Sequence, residues 1–310
     1  MYRPISPDPR YVDTDWILAP AGNPVFVYAH QDDEASSAGM IRRVTGADRR
    51  GWFIWWTNGD GLAPMAKMDP QEYARLRIDE CSESLRRLGG SVERKVDLEA
   101  SEIEVYRRLS EIPKGGQVRD EHFAFFEKEA RRVEDAIRDA DPDRVFTLAW
   151  QGGHPEHDLT HLMVVRAVRK LRAETGRPIP IIQSPAYEYV IAVALRFNPF
   201  YKGDRRSIVL SEEEVQAKLQ VFEAYPSQEG LFMKFRRLMN SLGIISTLRL
   251  KPFTYKDYIQ KEEFGVVDPG LDYHRSTHTF EYCNYMFDDF EGVPIRFDTM
   301  IRPLVDVILG

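Results

Sequence analysis

Cysteine is nearly missing from this 310-residue chain, where Cys81 and Cys283 are the only two and stand far apart. Neither a disulfide framework nor a cysteine zinc cluster can be built from them, and a reducing compartment suits such a sequence. Long apolar runs are missing too. The longest, Tyr189 to Leu195, is far too short to span a bilayer, and Met1 to Pro7 contain no apolar signal-peptide core. Basic charge is not in excess, since 42 Lys and Arg stand against 49 Asp and Glu, a formal −7. That leaves no electrostatic footprint for nucleic acid or an anionic membrane, and Arg49-Arg50, Arg205-Arg206 and Arg236-Arg237 are too short to change it. Internal repeats and low-complexity stretches are lacking as well. The expectation is a soluble, cytoplasmic protein with neither nucleic-acid nor membrane partners.

What is present begins with enough apolar content, 43%, to bury a large core. No shift in composition marks a linker, so residues 1–310 are read as one α/β domain. The stretch that organises it is Ala29-His30-Gln31-Asp32-Asp33-Glu34, which follows the apolar run Val25 to Tyr28. A buried strand ending in a histidine and three acids delivers side chains that are costly to bury, and folding alone gives no reason to do so. If a turn or helix follows, His30 and Asp33, three apart, share a side and reach one ion, while Asp32 points elsewhere. Two ligands do not close a zinc site, so a third must come from another segment. The donor is Gly152-Gly153-His154-Pro155-Glu156-His157-Asp158-Leu159-Thr160-His161, which also follows an apolar run, Val145 to Trp150.

Strands and helices alternate around these two segments. Strand one runs to His30 and strand two covers Trp52 to Thr57, before the turn Asn58-Gly59-Asp60. Asp69-Pro70 opens a helix with the stripe Ala74, Ile78, Cys81, Leu85 and Leu88, stopped by Gly89. A short strand is expected at Val92 to Val96, then a helix carrying Phe126, Ala130, Val133 and Ile137. Asp141-Pro142-Asp143 turns the chain into the strand ending at Trp150, the histidine segment opens a helix through Val165, Val168 and Leu171, and Ile179 to Ser184 reads as another buried strand. Such alternation predicts a Rossmann-like, mostly parallel sheet with helices on both faces, three layers in all, whose ligands sit beyond the carboxyl ends of the strands. With no Gly-x-Gly-x-x-Gly after strand one, a dinucleotide cofactor is not expected.

The pair Ala-His-x-Asp-Asp-Glu and His-Pro-x-His resembles the LmbE/PIG-L family of zinc-dependent N-acetylglucosaminyl deacetylases. The resemblance implies that His30, Asp33 and His157 hold the metal, that Asp32 is the general base, and that His154 steadies the oxyanion. It further implies that Glu156 tunes His154 from behind. Gln31 replaces the family's usual proline, and Glu156 its usual aspartate. Weaker matches are Thr57-Asn58-Gly59-Asp60, then Arg77, Glu80, Leu88 and Gly89, then Lys218 through Tyr225-Pro226-Ser227-Gln228. Similarity thus spans about residues 24–230, leaving 231–310 as the part where substrate choice is customised.

The implied activity is removal of an N-acetyl group from an N-acetylglucosamine-type sugar or glycoconjugate, with Zn²⁺ as cofactor and Fe²⁺ equally suited to the donor set. Asn58, Arg77, Tyr187, Glu188 and Gln228 are candidate substrate contacts. Asp158 is placed with Glu156 behind the ligands, and His161 is read as a support or a plain helix residue. Glu34 is divided between function and stabilising a helix start. The aromatic-rich tail, Tyr273, Phe280, Tyr282, Tyr285, Phe287 and Phe290, is read first as core, then as a homo-oligomer contact, then as pocket wall. Two rivals stand beside this reading: a metal- and sugar-binding protein without chemistry, and a zinc protease built on His157 and His161.

Overall fold

The computed structural model describes residues 13–188, 193–197, 201–230, 232–234, 237, 259–276, 284–285 and 288–310, with the backbone alone at 187, 188, 193 and 194. Seven strands form one sheet: β1 (Pro24–Tyr28), β2 (Trp52–Thr57), β3 (Lys95–Ala100), β4 (Arg144–Leu148), β5 (Ile181–Ser184), β6 (Arg206–Val209) and β7 (Lys261–Val266). Their spatial order is β3-β2-β1-β4-β5-β7-β6. The first five pair in parallel, with Val25 opposite both Trp52 and Val145, whereas β7 runs antiparallel to β5 and to β6. The mostly parallel sheet expected from the alternation is therefore present, extended by two antiparallel strands at one edge.

Among the described residues, seven principal helices cover it: α1 (Ala38–Thr45), α2 (Pro70–Leu88), α3 (Glu102–Glu111), α4 (Gly116–Ala140), α5 (Pro155–Thr175), α6 (Glu212–Glu223) and α7 (Arg302–Leu309). Their ends follow from local chemistry. Asp69 accepts the amides of Gln71 and Glu72 at 2.9 and 3.2 Å, Pro70 fills the first position of α2, and Gly89 ends it at φ 83°. Ser211 and Glu214 form a reciprocal cap at the start of α6.

Alternation of side chains along the strands separates two cores. Val25, Val27, Ile54, Trp56, Val145 and Ile181 pack under α3, α4, α5 and α7. Phe26, Tyr28, Phe53, Trp55, Phe146 and Leu148 face α1, α2 and α6. On that second face Phe26 stacks between Phe53 and Phe146, at ring-centroid distances of 4.9 and 4.7 Å. These stacks tie β2, β1 and β4 together.

Some boundaries differ from the sequence reading. Strand one stops at Tyr28, because the Asp33 carboxylate draws the amides of Ala29 and His30 into a turn. Val92–Arg94 is a 3₁₀ turn, and the strand expected there runs instead from Lys95 to Ala100. This is an edge strand, half-exposed along most of its length, so its apolar signal is weak. The strand expected from Ile179 is hydrogen-bonded only from Ile181. Among the tail aromatics, Tyr273 and Tyr285 are buried and Phe290 partly so. Phe280, Tyr282, Cys283 and Phe287 lie outside the described residues. No described helix is long and apolar enough to cross a membrane.

Candidate metal centre

The chain leaves β1 toward β2 and β3 on one side, then returns to lay β4 on the other. Side chains at the carboxyl ends of β1 and β4 therefore face each other across a topological switch point, where open α/β sheets form their clefts. His30 stands two residues beyond β1, and His154 caps α5 just beyond β4. The ring centroids of His30 and His157 are 5.1 Å apart, and those of His30 and His154 are 5.0 Å apart.

Asp33 joins the two segments. Its Oδ1 lies 2.9 Å from Nε2 of His157, and its Oδ2 lies 3.4 Å from Nδ1 of His30 while accepting the amides of Ala29 and His30 at 3.1 and 3.0 Å. Burial alone would raise the pKa of this carboxyl, but the two imidazoles outweigh burial and hold it well below the usual carboxylate range. A 3₁₀ turn over Asp33–Ser37 produces the shared side expected of His30 and Asp33.

Asp32 takes the opposite course. Its backbone is left-handed, φ 101°, which an L residue adopts only when its surroundings enforce it. One enforcing group is Arg77, whose Nη2 donates to Oδ2 of Asp32 at 2.9 Å and also to the carbonyl of Gln31. The Asp32 side chain remains partly open to solvent and lies 3.7 Å from Nδ1 of His30.

Glu156 is fully buried, and neither of its carboxylate oxygens has a hydrogen-bond partner. Oε2 lies 3.8 Å from Nε2 of His30 and 3.9 Å from Nδ1 of His154. Burial, followed by the repulsion of Glu102, pushes its pKa well above the carboxylate range. A buried carboxylate without a bonded proton donor is the kind of group that a cation satisfies. Donor atoms of His30, His154 and His157 lie within 4.8 Å of one another, as do those of His30, Asp32 and Asp33, and those of His30, Glu102, His154 and Glu156. His30, His154 and His157 can thus hold a metal, and the neighbouring carboxylates fit the donor chemistry of zinc.

The remaining sequence candidates separate. Asp158 accepts the amides of Gln151 and Gly152 at 3.0 Å each and the hydroxyl of Tyr285 at 2.5 Å, so it fixes the loop that carries His154. His161 spends Nδ1 on the carbonyl of Leu148, 2.8 Å away, and Nε2 on the hydroxyl of Tyr273, 3.1 Å away. With both nitrogens engaged, it supports the helix and offers nothing to a protease-type centre. Glu34 is buried against Ser84 and Tyr225, which donate to it. Asn58 bonds Asp60 within its turn, Gln228 donates to Tyr73 at 2.8 Å, and Gln31 turns inward to donate to the carbonyl of Thr57 at 3.1 Å. The side chains of Tyr187 and Glu188 lie outside the described residues.

Three neighbours escaped the sequence reading. Glu102 lies on α3, and its carboxylate accepts the amide of Gly61 at 3.2 Å. Tyr106, one turn later, places its hydroxyl 3.2 Å from Nε2 of His154 and donates to Oδ1 of Asp288 at 2.8 Å. Asp288 comes from the C-terminal segment. Ser101, whose Oγ accepts the amide of Glu104, followed by Val105 and Leu109 at helical spacing, was the signal that could have located α3.

Residues 25–168 match the family model described as PIG-L, GlcNAc-PI de-N-acetylase. No curated protein matches the chain in sequence. Among solved structures, N,N′-diacetylchitobiose deacetylase from Pyrococcus horikoshii superposes with TM-score 0.52 at 18% identity, covering 88% of this chain and 93% of its own. The zinc-inhibited form of teicoplanin deacetylase Orf2 gives 0.54 at 16%, covering 81% and 100%. The 4-carboxy-2-hydroxymuconate hydratase GalB from Pseudomonas putida gives 0.51 at 14%, covering 81% and 98%. Identities this low speak for the fold alone, and the hydratase shows that the fold hosts more than one chemistry. The family match over residues 25–168 and the superpositions agree on the fold: this chain shares the α/β fold of these proteins and is similar in sequence to the PIG-L family over that segment.

Proposed function

We propose that the protein is a metal-dependent hydrolase that removes the acetyl group from an N-acetylglucosamine-type sugar or glycoconjugate. The observation that carries this reading is the contact of Asp33 with both His30 and His157, beside an Asp32 whose Oδ2 is engaged by Arg77 while its Oδ1 lies 3.7 Å from His30. In this reading zinc is taken by His30, Asp33 and His157, with Fe²⁺ an alternative for the same donors, and His154, the third histidine of the cluster, is kept for the substrate oxygen. When bound, zinc lowers the pKa of a water to about 7 and polarises a carbonyl oxygen.

The chain's own groups do the rest. Asp32, anchored by Arg77, takes the proton of the attacking water, and its partial exposure lets substrate approach. His154 offers an N–H to the oxygen that gains charge as the carbonyl is attacked. Burial, then the neighbouring imidazoles of His157 and His30, lowers the pKa of His154 well below the usual histidine value, so it serves as a neutral donor. Asp32 then passes its proton to the leaving amine, and acetate and a free amine result. The two N-acetyl-sugar activities named for similar folds, on diacetylchitobiose and in the GlcNAc-PI family, support the substrate class.

The test is acetate release by zinc-loaded protein from a panel of N-acetylated sugars. Stoichiometric acetate and free amine are expected. Zinc retained with sugar bound and no acetate would indicate a binding protein, while hydration of an unsaturated acid without acetate would move the protein toward the hydratase chemistry of the GalB-like fold.

A further inference from the structure

We propose that Tyr106 and Asp288 are positioning residues for His154, fixing the imidazole as the tautomer with its proton on Nε2 and holding the ring against rotation. The proposal rests on the deacetylase reading for its catalytic consequence, though not for its geometry.

His154 occupies the capping position of α5, but its side chain makes no capping bond, and Pro155 follows without an amide to offer. Within the helix the ring meets His157, at a centroid distance of 4.7 Å, and Glu156, whose Oε2 lies 3.9 Å from Nδ1, while at Nε2 it meets a residue of another helix. The hydroxyl of Tyr106 lies 3.2 Å from Nε2 and donates its single proton to Oδ1 of Asp288 at 2.8 Å. A hydroxyl whose proton is committed presents a lone pair to its other neighbour, so Nε2 must supply the hydrogen. Nδ1 then carries the lone pair on the side of Glu156. The tautomer of a histidine is commonly selected in this way, by what its ring nitrogens already bond.

Asp288 is itself held in place. Its amide donates to the carbonyl of Tyr285 at 3.0 Å, and its carbonyl accepts from Ile295 at 3.0 Å. Tyr285 donates its amide to the carbonyl of Gly152 at 2.9 Å and its hydroxyl to Asp158 at 2.5 Å. The segment bearing Asp288 is thus fastened to the same loop that presents His154. Three distant parts of the chain, α3, the loop after β4 and the C-terminal segment, meet at one imidazole. The last of these lies beyond the family-matched residues 25–168.

The consequence for the reaction is one of readiness. With the tautomer fixed, the hydrogen is already on Nε2, held by the Tyr106 hydroxyl until an oxygen gaining negative charge draws it over; in the other tautomer Nε2 would turn a lone pair to that oxygen, which repels it.

The experiment uses the zinc-loaded full chain with ¹⁵N-labelled histidine, the His154 resonances being assigned by their loss in His154→Asn. In the wild type the Nε2–H form is expected. Tyr106→Phe and Asp288→Ala should keep zinc, show mixed tautomers at His154, and lower kcat about 10- to 100-fold with KM little changed. Asp288→Asn, whose amide oxygen still accepts from Tyr106, should keep the wild-type tautomer and most of kcat. A wild-type His154 protonated on Nδ1, or a Tyr106→Phe tautomer identical to wild type, overturns the proposal whatever the rates do. A tautomer that shifts as stated in a protein that releases no acetate would uphold the positioning and refute the deacetylase reading.

Discussion

Oδ1 of Asp33 stands 2.9 Å from Nε2 of His157, a contact between two segments that the sequence separates by most of the parallel sheet. The other oxygen of the same carboxylate receives the amides of Ala29 and His30. One side chain therefore shapes the first turn and meets the second motif.

Removing either partner should empty the centre. Asp33→Ala and His157→Ala are each expected to lose zinc affinity by at least about a hundredfold, the upper end of what deleting even an outer partner costs. Metal analysis after dialysis measures this. Asp32→Asn should emerge from the same dialysis fully loaded, and an inverted pattern would reassign the ligands.

If Asp32 is the base proposed above, its loss should appear in rate alone. Asp32→Asn is expected to reduce kcat on the order of 10²- to 10⁴-fold. Arg77→Met should reduce stability as well as rate, because Asp32 and Glu80 lose the guanidinium 2.9 and 3.6 Å away. Breaking a pair this well buried costs about 3 kcal/mol, which denaturant melts would resolve.

His161 gives a pH signature. Burial lowers its pKa to about 4, while an unfolded histidine titrates near 6.5. Below 6.5 the unfolded chain binds the proton first, so stability that is fully present above this value drains away as pH falls toward 4, by about 3 kcal/mol in total. His161→Gln lacks that dependence. Plotted against pH, the stability advantage of wild type over this variant should shrink across that window; a constant gap would refute the argument.

Gly59 tests the turn after β2. It sits at φ 70°, and a Cβ there would come within 2.5 Å of the amide oxygen of Gln31. Gly59→Ala is expected to cost about 1 to 2 kcal/mol from backbone conformation alone. Adding Gln31→Ala should recover only the steric part, a coupling that thermal melts of the single and double variants would read out.

Much of the centre was legible because two short motifs each end an apolar run, and strand ends are where a parallel sheet gathers its ligands. His30, Asp33 and His157 could be named from spacing and resemblance, and their rings and carboxylate do converge. Arg77, by sequence a candidate substrate contact, is buried against Asp32. A lone arginine on an amphipathic helix does not reveal which acid lies across the gap. Tyr106 and Asp288 were illegible for a related reason. Each is one residue in an ordinary context, and only the tertiary path of the chain makes them neighbours. The edge strand Lys95–Ala100 is displaced from its expected bounds and β6 escaped because half-exposed strands carry little apolar pattern, whereas β7 is buried but hides its pattern behind the charged Lys261, Glu262 and Glu263.

Strand β7 lies between β5 and β6, although nearly the whole chain precedes it. A ribosome delivering this polypeptide exposes β5 and β6 with open, unpaired rims until residues 261–266 emerge, and rims of that kind template aggregation. Glu262, arriving with that strand, supplies the counter-ion for Lys218 and accepts the amides of Gly39 and Met40 at the start of α1. Chains ending before residue 261 should therefore aggregate more readily than chains that include β7, whose pairing closes both rims.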